Sequence, residues 1–444
     1  MQMAEQHILN FVRFFELNGW SANSMHFKKI KSSYPLVPLS KVLKRIKEPI
    51  VVEDEKLYKR ITVRLYGQGI LKRDELYGKD IGTKRQFIAR EGQLIISRID
   101  ARNGAFGIVP KELDGAVVTN DFWLFDVQNA LPQYILLILT SERFQQYWHT
   151  KSSGTTNRQR IDENGFLMSK IPLPSIDIQK ELLEKYNIGI GIAKKCKEEI
   201  AALEKEIESY WLDCLGVSIL STPSPDDKML HAVKFASLYR WDVWTESSKY
   251  SLSKYKFSKL SSVVIGKPLY GANEKAVKVK SDVRYIRITD INEDGTLNDD
   301  VVSVNKVAEK YLLEDNDFLI ARSGNTVGKT FLYKKSFGKC IFAGYLVRYK
   351  LNTQKIVPEY LLYYTKSALF KSWIQNNQRI FGQPNINGQE YLSADIIIPE
   401  LELQQEIVEY IGNLRHEIIS KKSDANAAIA LTKKRFEEAV FSET

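Results

Sequence analysis

Pro174-Ser175-Ile176-Asp177-Ile178-Gln179-Lys180-Glu181-Leu182 returns as Pro399-Glu400-Leu401-Glu402-Leu403-Gln404-Gln405-Glu406-Ile407, 225 positions later. Upstream, Pro132-Gln133-Tyr134-Ile135-Leu136-Leu137 with Ser141 and Phe144 returns as Pro358-Glu359-Tyr360-Leu361-Leu362-Tyr363 with Ser367 and Phe370, at a shift of 226. Arg98 and Gly104 return as Arg322 and Gly328 at a shift of 224, each pair following an apolar strand-like run, Leu94-Ile95-Ile96 or Phe318-Leu319-Ile320. Three segments sharing nearly one offset indicate duplication. The period is far longer than a solenoid repeat, so the unit copied is a whole globular domain with its helix.

The quoted element also marks a change of texture. Before it the chain reads as short strands broken by Gly and Asn, such as Arg60-Ile61-Thr62-Val63-Arg64-Leu65, with a helix expected over 132–148. After it runs a long charged helix to about Gly216, with interruption or strain expected near Gly189 and Gly191. Cys196, Ile200, Leu203, Ile207, Tyr210 and Cys214 fall at heptad spacing on it. So do Leu403, Ile407, Tyr410, Leu414 and Ile418 in the second copy, continuing through Ala425, Ile429 and Phe436 toward Val440. A heptad seam needs a partner helix, and these two are natural partners. The expected fold is α+β: two mixed α/β domains separated by two long helices in an intramolecular antiparallel coiled coil. The coiled coil would act as a rigid spacer, each helix of about 40 residues being roughly 60 Å long.

The expected domains are an entry helix over 1–33, a first α/β domain over 34–173, a first long helix over 174–220, a linker over 221–233, a second α/β domain over 234–398, and a second long helix over 399–444. The entry segment places Ile8, Leu9, Phe11, Val12, Phe15 and Leu17 at mostly helical spacing. Ser221-Thr222-Pro223-Ser224-Pro225 supplies the turn-rich boundary.

The 444 residues have room for two or three cores. Lys and Arg number 64 against 54 Asp and Glu, a formal charge of +10, which favours a polyanionic partner. The cysteines are three and scattered, at 196, 214 and 340, so neither a disulfide framework nor a zinc knuckle is supported. No apolar run reaches the roughly 20 residues that cross a bilayer. A cytoplasmic location away from membranes is expected.

Enzyme motifs are imitated but not met. Gly324-Asn325-Thr326-Val327-Gly328-Lys329-Thr330 has three residues between its glycines where a phosphate loop needs four. It is expected to be a tight turn presenting Arg322, Asn325 and Lys329 outward. Asp290-Ile291-Asn292-Glu293-Asp294-Gly295 opens like a calcium loop, but Val301 stands where its bidentate Glu belongs, so a hairpin turn is expected. The five histidines fit no metal or triad spacing, and no Pro-Pro dipeptide supports a methyltransferase loop. What remains are loops rich in Arg, Lys, Asn, Gln and Tyr, the types that grip phosphates and read base edges. In the first module the candidates are Arg64, Tyr66, Gln68, Lys84, Arg85, Arg98, Arg102, Asn103, Thr156, Asn157, Arg158 and Arg160. In the second they are Lys275, Lys278, Arg322, Asn325, Lys329, Arg379, Gln383, Asn385 and Asn387. Gln179, Leu182, Ile200, Leu203, Ile207, Gln404, Ile407 and Leu414 are the candidate coiled-coil and subunit-contact residues.

With these features the chain resembles the specificity subunit of a type I restriction-modification system. Gly154-Thr155-Thr156-Asn157 and Gly382-Gln383-Pro384-Asn385 each lead through Ile-Pro-Leu-Pro or Ile-Ile-Ile-Pro into the Pro-to-Gln element and a long helix. The similarity covers residues 34 to 441. It implies two target recognition domains reading the halves of a bipartite double-stranded DNA sequence. It also implies two modification subunits carrying S-adenosylmethionine, and restriction subunits using ATP and magnesium. This chain itself would be non-catalytic and hold no cofactor. The alternatives are a scaffold or antirestriction decoy that never reads DNA, and an enzyme acting alone on nucleic acid.

Overall fold

The structure is a computed structural model that describes residues 30–151, 161–219, 250–251, 253–278, 281–378 and 383–441. The expected linker and residues 1–29 of the expected entry helix lie outside them, and residues 30–33 are not helical. The chain divides into two compact units, and the division cuts both long helices: one unit runs to Cys196 and resumes at Asp424, the other is Lys197–Ser423.

The buried apolar runs explain the sheet of each unit. Leu94–Ser97 is a strand buried on both faces. Its alternating side chains feed different cores, Leu94 and Ile96 one packed by helices, Ile95 another between sheets. The strand lies in a four-stranded antiparallel sheet of order Leu43–Ile46, Phe122–Val127, Leu94–Ser97, Phe106–Ile108. Beside it is a five-stranded sheet of order Pro49–Val51, Arg85–Ala89, Ala116–Val118, Leu57–Val63, Ile70–Tyr77. In the second unit Phe318 and Ile320 feed one core while Leu319 and Ala321 feed another. The sheet there has order Val264–Tyr270, Leu346–Leu351, Asp317–Ala321, Thr330–Leu332, strand for strand the same plan.

The helices repeat as well. The first unit has α1 (Pro132–Thr140), α2 (Glu142–Lys151), α3 (Glu163–Leu167) and the first half of α4 (Ile176–Leu215). The second has α5 (Pro358–Tyr364), α6 (Ala368–Asn377), α7 (Gly388–Leu392) and the first half of α8 (Leu401–Val440). The single helix expected over 132–148 is therefore two. Ser141 takes extended backbone between them, and its hydroxyl donates to the Ile138 carbonyl, ending the first helix locally. Ser367 does the same to Tyr364.

α4 and α8 pair antiparallel inside each unit. In the first, Tyr186 meets Phe436 edge-on at 5.8 Å. In the second, Tyr210 stacks on Tyr410 at 4.0 Å and Glu199 pairs with Lys421 at 2.7 Å. Rising numbers on α4 meet falling numbers on α8, as an antiparallel coiled coil requires. Ile200, Ile407, Ile411 and Ile418 are buried, whereas Leu203, Ile207 and Leu414 are half-buried. Toward the end of α4 the seam rotates into the second unit's domain. There Trp211, rather than Tyr210 or Cys214, is the fully buried residue, packed on Tyr360 and Tyr364.

Two expectations about the helices are corrected. Gly189 and Gly191 do not interrupt α4. Gly189 is a packing residue, because a Cβ there would lie 1.9 Å from Thr432 Oγ1 on α8. Gln179 and Gln404 are not seam or subunit-contact residues: both are fully buried and tie a helix start to its own domain. Gln179 accepts from the Leu131 N–H at 2.9 Å and donates to the Pro174 carbonyl at 2.9 Å. Gln404 accepts from Val357 N–H at 2.8 Å and donates to Pro399 at 2.8 Å. Leu182 lies in the core cluster that joins the first unit's domain to Phe436 and Val440 of α8.

Candidate nucleic-acid interface

In the first unit the hairpin of Leu57–Val63 and Ile70–Tyr77 ends in Arg64–Gly69, a tip set by local backbone geometry. Tyr66 and Gly67 have φ of 57° and 65°, and the Arg64 guanidinium donates to the Gln68 carbonyl. Tyr66 and Gly67 N–H donate to Asn103 and Gly104 carbonyls at 2.7 and 2.9 Å, joining the tip to the turn that follows Arg98. Arg64, Tyr66, Gln68 and Asn103 thus share one rim, with Tyr66 58% exposed. Lys84 and Arg85 do not join it. They sit beside Gly78 at the other end of the hairpin, about 20 Å away at roughly 3.3 Å per strand residue, and Lys84 is held by Asp54 at 2.6 Å and the Gly78 carbonyl at 2.7 Å.

Arg98 lies over the buried Trp123 ring, 5.2 Å from its centroid. Its backbone N–H donates to Asp121, and its carbonyl accepts from Ile161. Arg45 is close by, but its guanidinium donates to the Leu124 carbonyl at 3.0 Å and pairs with Glu163 at 3.4 Å. Burial lowers the Arg45 pKa, Glu163 opposes this, and the charge of Arg98 adds to the lowering. The side chain of Arg102 and all of Thr156, Asn157, Arg158 and Arg160 lie outside the described residues.

The second unit builds the corresponding face from Arg322–Lys329, Gly344-Tyr345 and the stretch Gln383–Asn387. Arg322 N–H donates to Tyr345, and Ile386 N–H donates to the Arg322 carbonyl, each at 3.0 Å. Ser323 bridges Asn385, and Gly324 N–H donates to Pro384. Arg322 stacks over Tyr270 at 5.0 Å while its Nε donates to the Gly344 carbonyl. Asn325 and Gln383 are exposed, and Asn385 is half-buried.

Two candidates here have structural duties instead. Lys329 is not presented outward: its ammonium pairs with Glu293 at 3.0 Å and donates to the Ile291 carbonyl at 3.2 Å. Asn387 is the N-cap of α7, in a capping box with Glu390. Lys275 is exposed, Lys278 pairs with Asp300 at 3.3 Å, and Arg379 lies outside the described residues. Sequence reading missed Tyr345, 55% exposed beside Arg322, although an aromatic after Gly344 between two strand-like runs was a usable signal. The turn after Asp290 is a hairpin, with Ile291 bridged to Leu297. Among the described residues no group of His, Cys, Asp or Glu could hold a metal ion, and no helix is long and apolar enough to cross a membrane.

Fold and site together define a duplicated scaffold: two α/β modules on paired helices, each with an arginine-bearing loop face. The family model described as the type I restriction modification DNA specificity domain matches residues 37–201 and again 253–429. The chain belongs to that family. It is 20% identical over 290 residues to the type I restriction enzyme StySPI specificity subunit of Salmonella potsdam, and 22% identical over 274 residues to the EcoBI specificity subunit of Escherichia coli. Those matches cover 64% and 59% of this chain but only 58% and 54% of the relatives' lengths. A solved chain described under "complex assembly and conformational transition of the type I R-M system" matches with a TM-score of 0.51 at 14% identity, covering 93% of this chain and 98% of that one. That likeness supports the fold.

Proposed function

We propose that this chain is the DNA-reading specificity subunit of a type I restriction-modification complex. Each unit reads one half of a bipartite double-stranded target, and the paired helices set the spacing and dock two modification subunits. Restriction subunits complete the assembly. In this reading the methyl donor S-adenosylmethionine belongs to the modification subunits, ATP and magnesium belong to the restriction subunits, and no catalytic step falls to this chain. The observation that carries the reading is the coincidence of two family matches with two structural copies of one sheet plan, each with an arginine, Arg98 or Arg322, directly after the corresponding strand. Net charge of +10 agrees with a polyanionic ligand.

Methylated adenines mapped genome-wide, in cells with and without this chain and with the modification subunit in both, test the proposal. Loss of one bipartite motif on deletion is the expected result. An unchanged methylome would favour a scaffold or decoy.

A further inference from the structure

We propose that Arg98 and Arg322 are the paired base-reading residues of the two units, each taking the O6/N7 edge of a guanine in its own half-site. The inference rests on the DNA-reading function above and goes beyond it by naming the position and the base.

The two arginines occupy one backbone frame built twice. Each follows the central strand of its sheet. Each donates its N–H to the carbonyl of the residue just before the adjoining strand, Asp121 in one unit and Tyr345 in the other. Each accepts at its carbonyl from the N–H of an isoleucine, Ile161 or Ile386, two residues before the last short helix of the domain. The frame therefore aims the same side chain from the same point in both units.

Beneath each guanidinium lies an aromatic ring, and the rings come from different places. Trp123 belongs to the strand that pairs directly with the one preceding Arg98. Tyr270 belongs to the next strand over, paired with Leu346–Leu351. The shelf has been kept although its source differs, as expected where the plane of the guanidinium matters. A fixed plane fits the fork geometry of a guanine edge, while a phosphate contact tolerates a flexible point charge.

The donors of these arginines also differ from those of their neighbours. Arg45, Arg64, Arg284 and Arg348 give terminal nitrogens to backbone carbonyls. Among the described residues Arg322 gives only its Nε, to Gly344, which leaves the two-nitrogen end of the fork pointing away from that anchor. The Nε of Arg98 is buried without a partner among the described residues, as are those of Arg45 and Arg284, but unlike theirs its terminal nitrogens make no hydrogen bond among the described residues.

The test uses the full chain assembled with its modification subunits, acting on a DNA library of randomised sequence whose methylated fraction is sequenced. The unaltered complex should yield a bipartite motif with a guanine, on either strand, in both halves. Arg98→Lys should relax the choice at one guanine in one half by roughly 5- to 150-fold, and Arg322→Lys should do so in the other half. In each variant the untouched half reports that the complex is folded and active. A half-site lacking guanine, or a Lys variant that retains full discrimination or loses rate equally on all sequences, overturns the proposal. Absence of any bipartite motif with the unaltered complex would instead refute the DNA-reading function itself.

Discussion

Gln404, fully buried, accepts the Val357 N–H at 2.8 Å while its amide donates to the Pro399 carbonyl, so one side chain ties the first turn of α8 to the start of α5. Gln179 makes the same pair of bonds to Leu131 and Pro174. A buried donor stripped of its partner costs about 1–3 kcal/mol. Gln404→Leu should therefore lower the unfolding midpoint and speed hydrogen exchange at Val357, and Gln179→Leu should do so at Leu131. Slow exchange at Val357 in the Leu variant would show that the bond is dispensable.

Gly189 and Gly191 lie on the same helix two residues apart, and their substitutions should have opposite signs. Alanine gains up to about 1 kcal/mol over glycine within a helix. At Gly191 a Cβ meets nothing within 4 Å, so Gly191→Ala should stabilise. At Gly189 the Cβ meets Thr432 Oγ1 at 1.9 Å, and overpacking of about 1–3 kcal/mol should outweigh the gain. Combining Gly189→Ala with Thr432→Ala should recover the loss. Thermal melts of the four chains decide the matter, and equal shifts for the two single variants would refute it.

Lys329 tests the distinction between a structural and an interface cation. With its ammonium held by Glu293 and the Ile291 carbonyl, Lys329→Ala should cost about 1 kcal/mol of stability and leave the salt dependence of DNA binding unchanged. A salt slope reduced by about one phosphate contact would return Lys329 to the interface.

The sequence made the duplication legible because a packing role copied twice leaves the same residues at one offset, as Gln179 and Gln404 do. What those residues do was less legible. Gln179 looks like a polar position beside a heptad, and only the fold brings Leu131 to it from 48 residues upstream. Gly189 reads as a breaker because its partner, Thr432, is remote in sequence. Asn387 and Arg322 look alike as polar loop residues, yet one spends its side chain on a helix end and the other extends it over Tyr270. Composition identifies groups able to meet DNA. Which of them are already engaged is decided by contacts between segments distant in the chain.

Lys366 gives the protein a pH dependence of predictable sign. Burial, with Arg415 and Lys371 adding to it and Asp294 and Glu293 opposing, pushes its ammonium down to about 7, while its Nζ donates to the Thr330 carbonyl at 3.1 Å. In the unfolded chain the group titrates near 10.4. Between those values the unfolded state binds more protons, so this group makes stability rise with pH from about 7 toward 10, its penalty being present in full below 7. Buried tyrosines such as Tyr349 and Tyr391, raised by burial, act oppositely above pH 10, which confines the useful window to roughly 7 to 9.5. Denaturant midpoints of the unaltered chain relative to Lys366→Met should therefore climb across that window. A constant difference would mean that Lys366 stays charged in the folded protein, in contact with enough water or carboxylate to hold its proton.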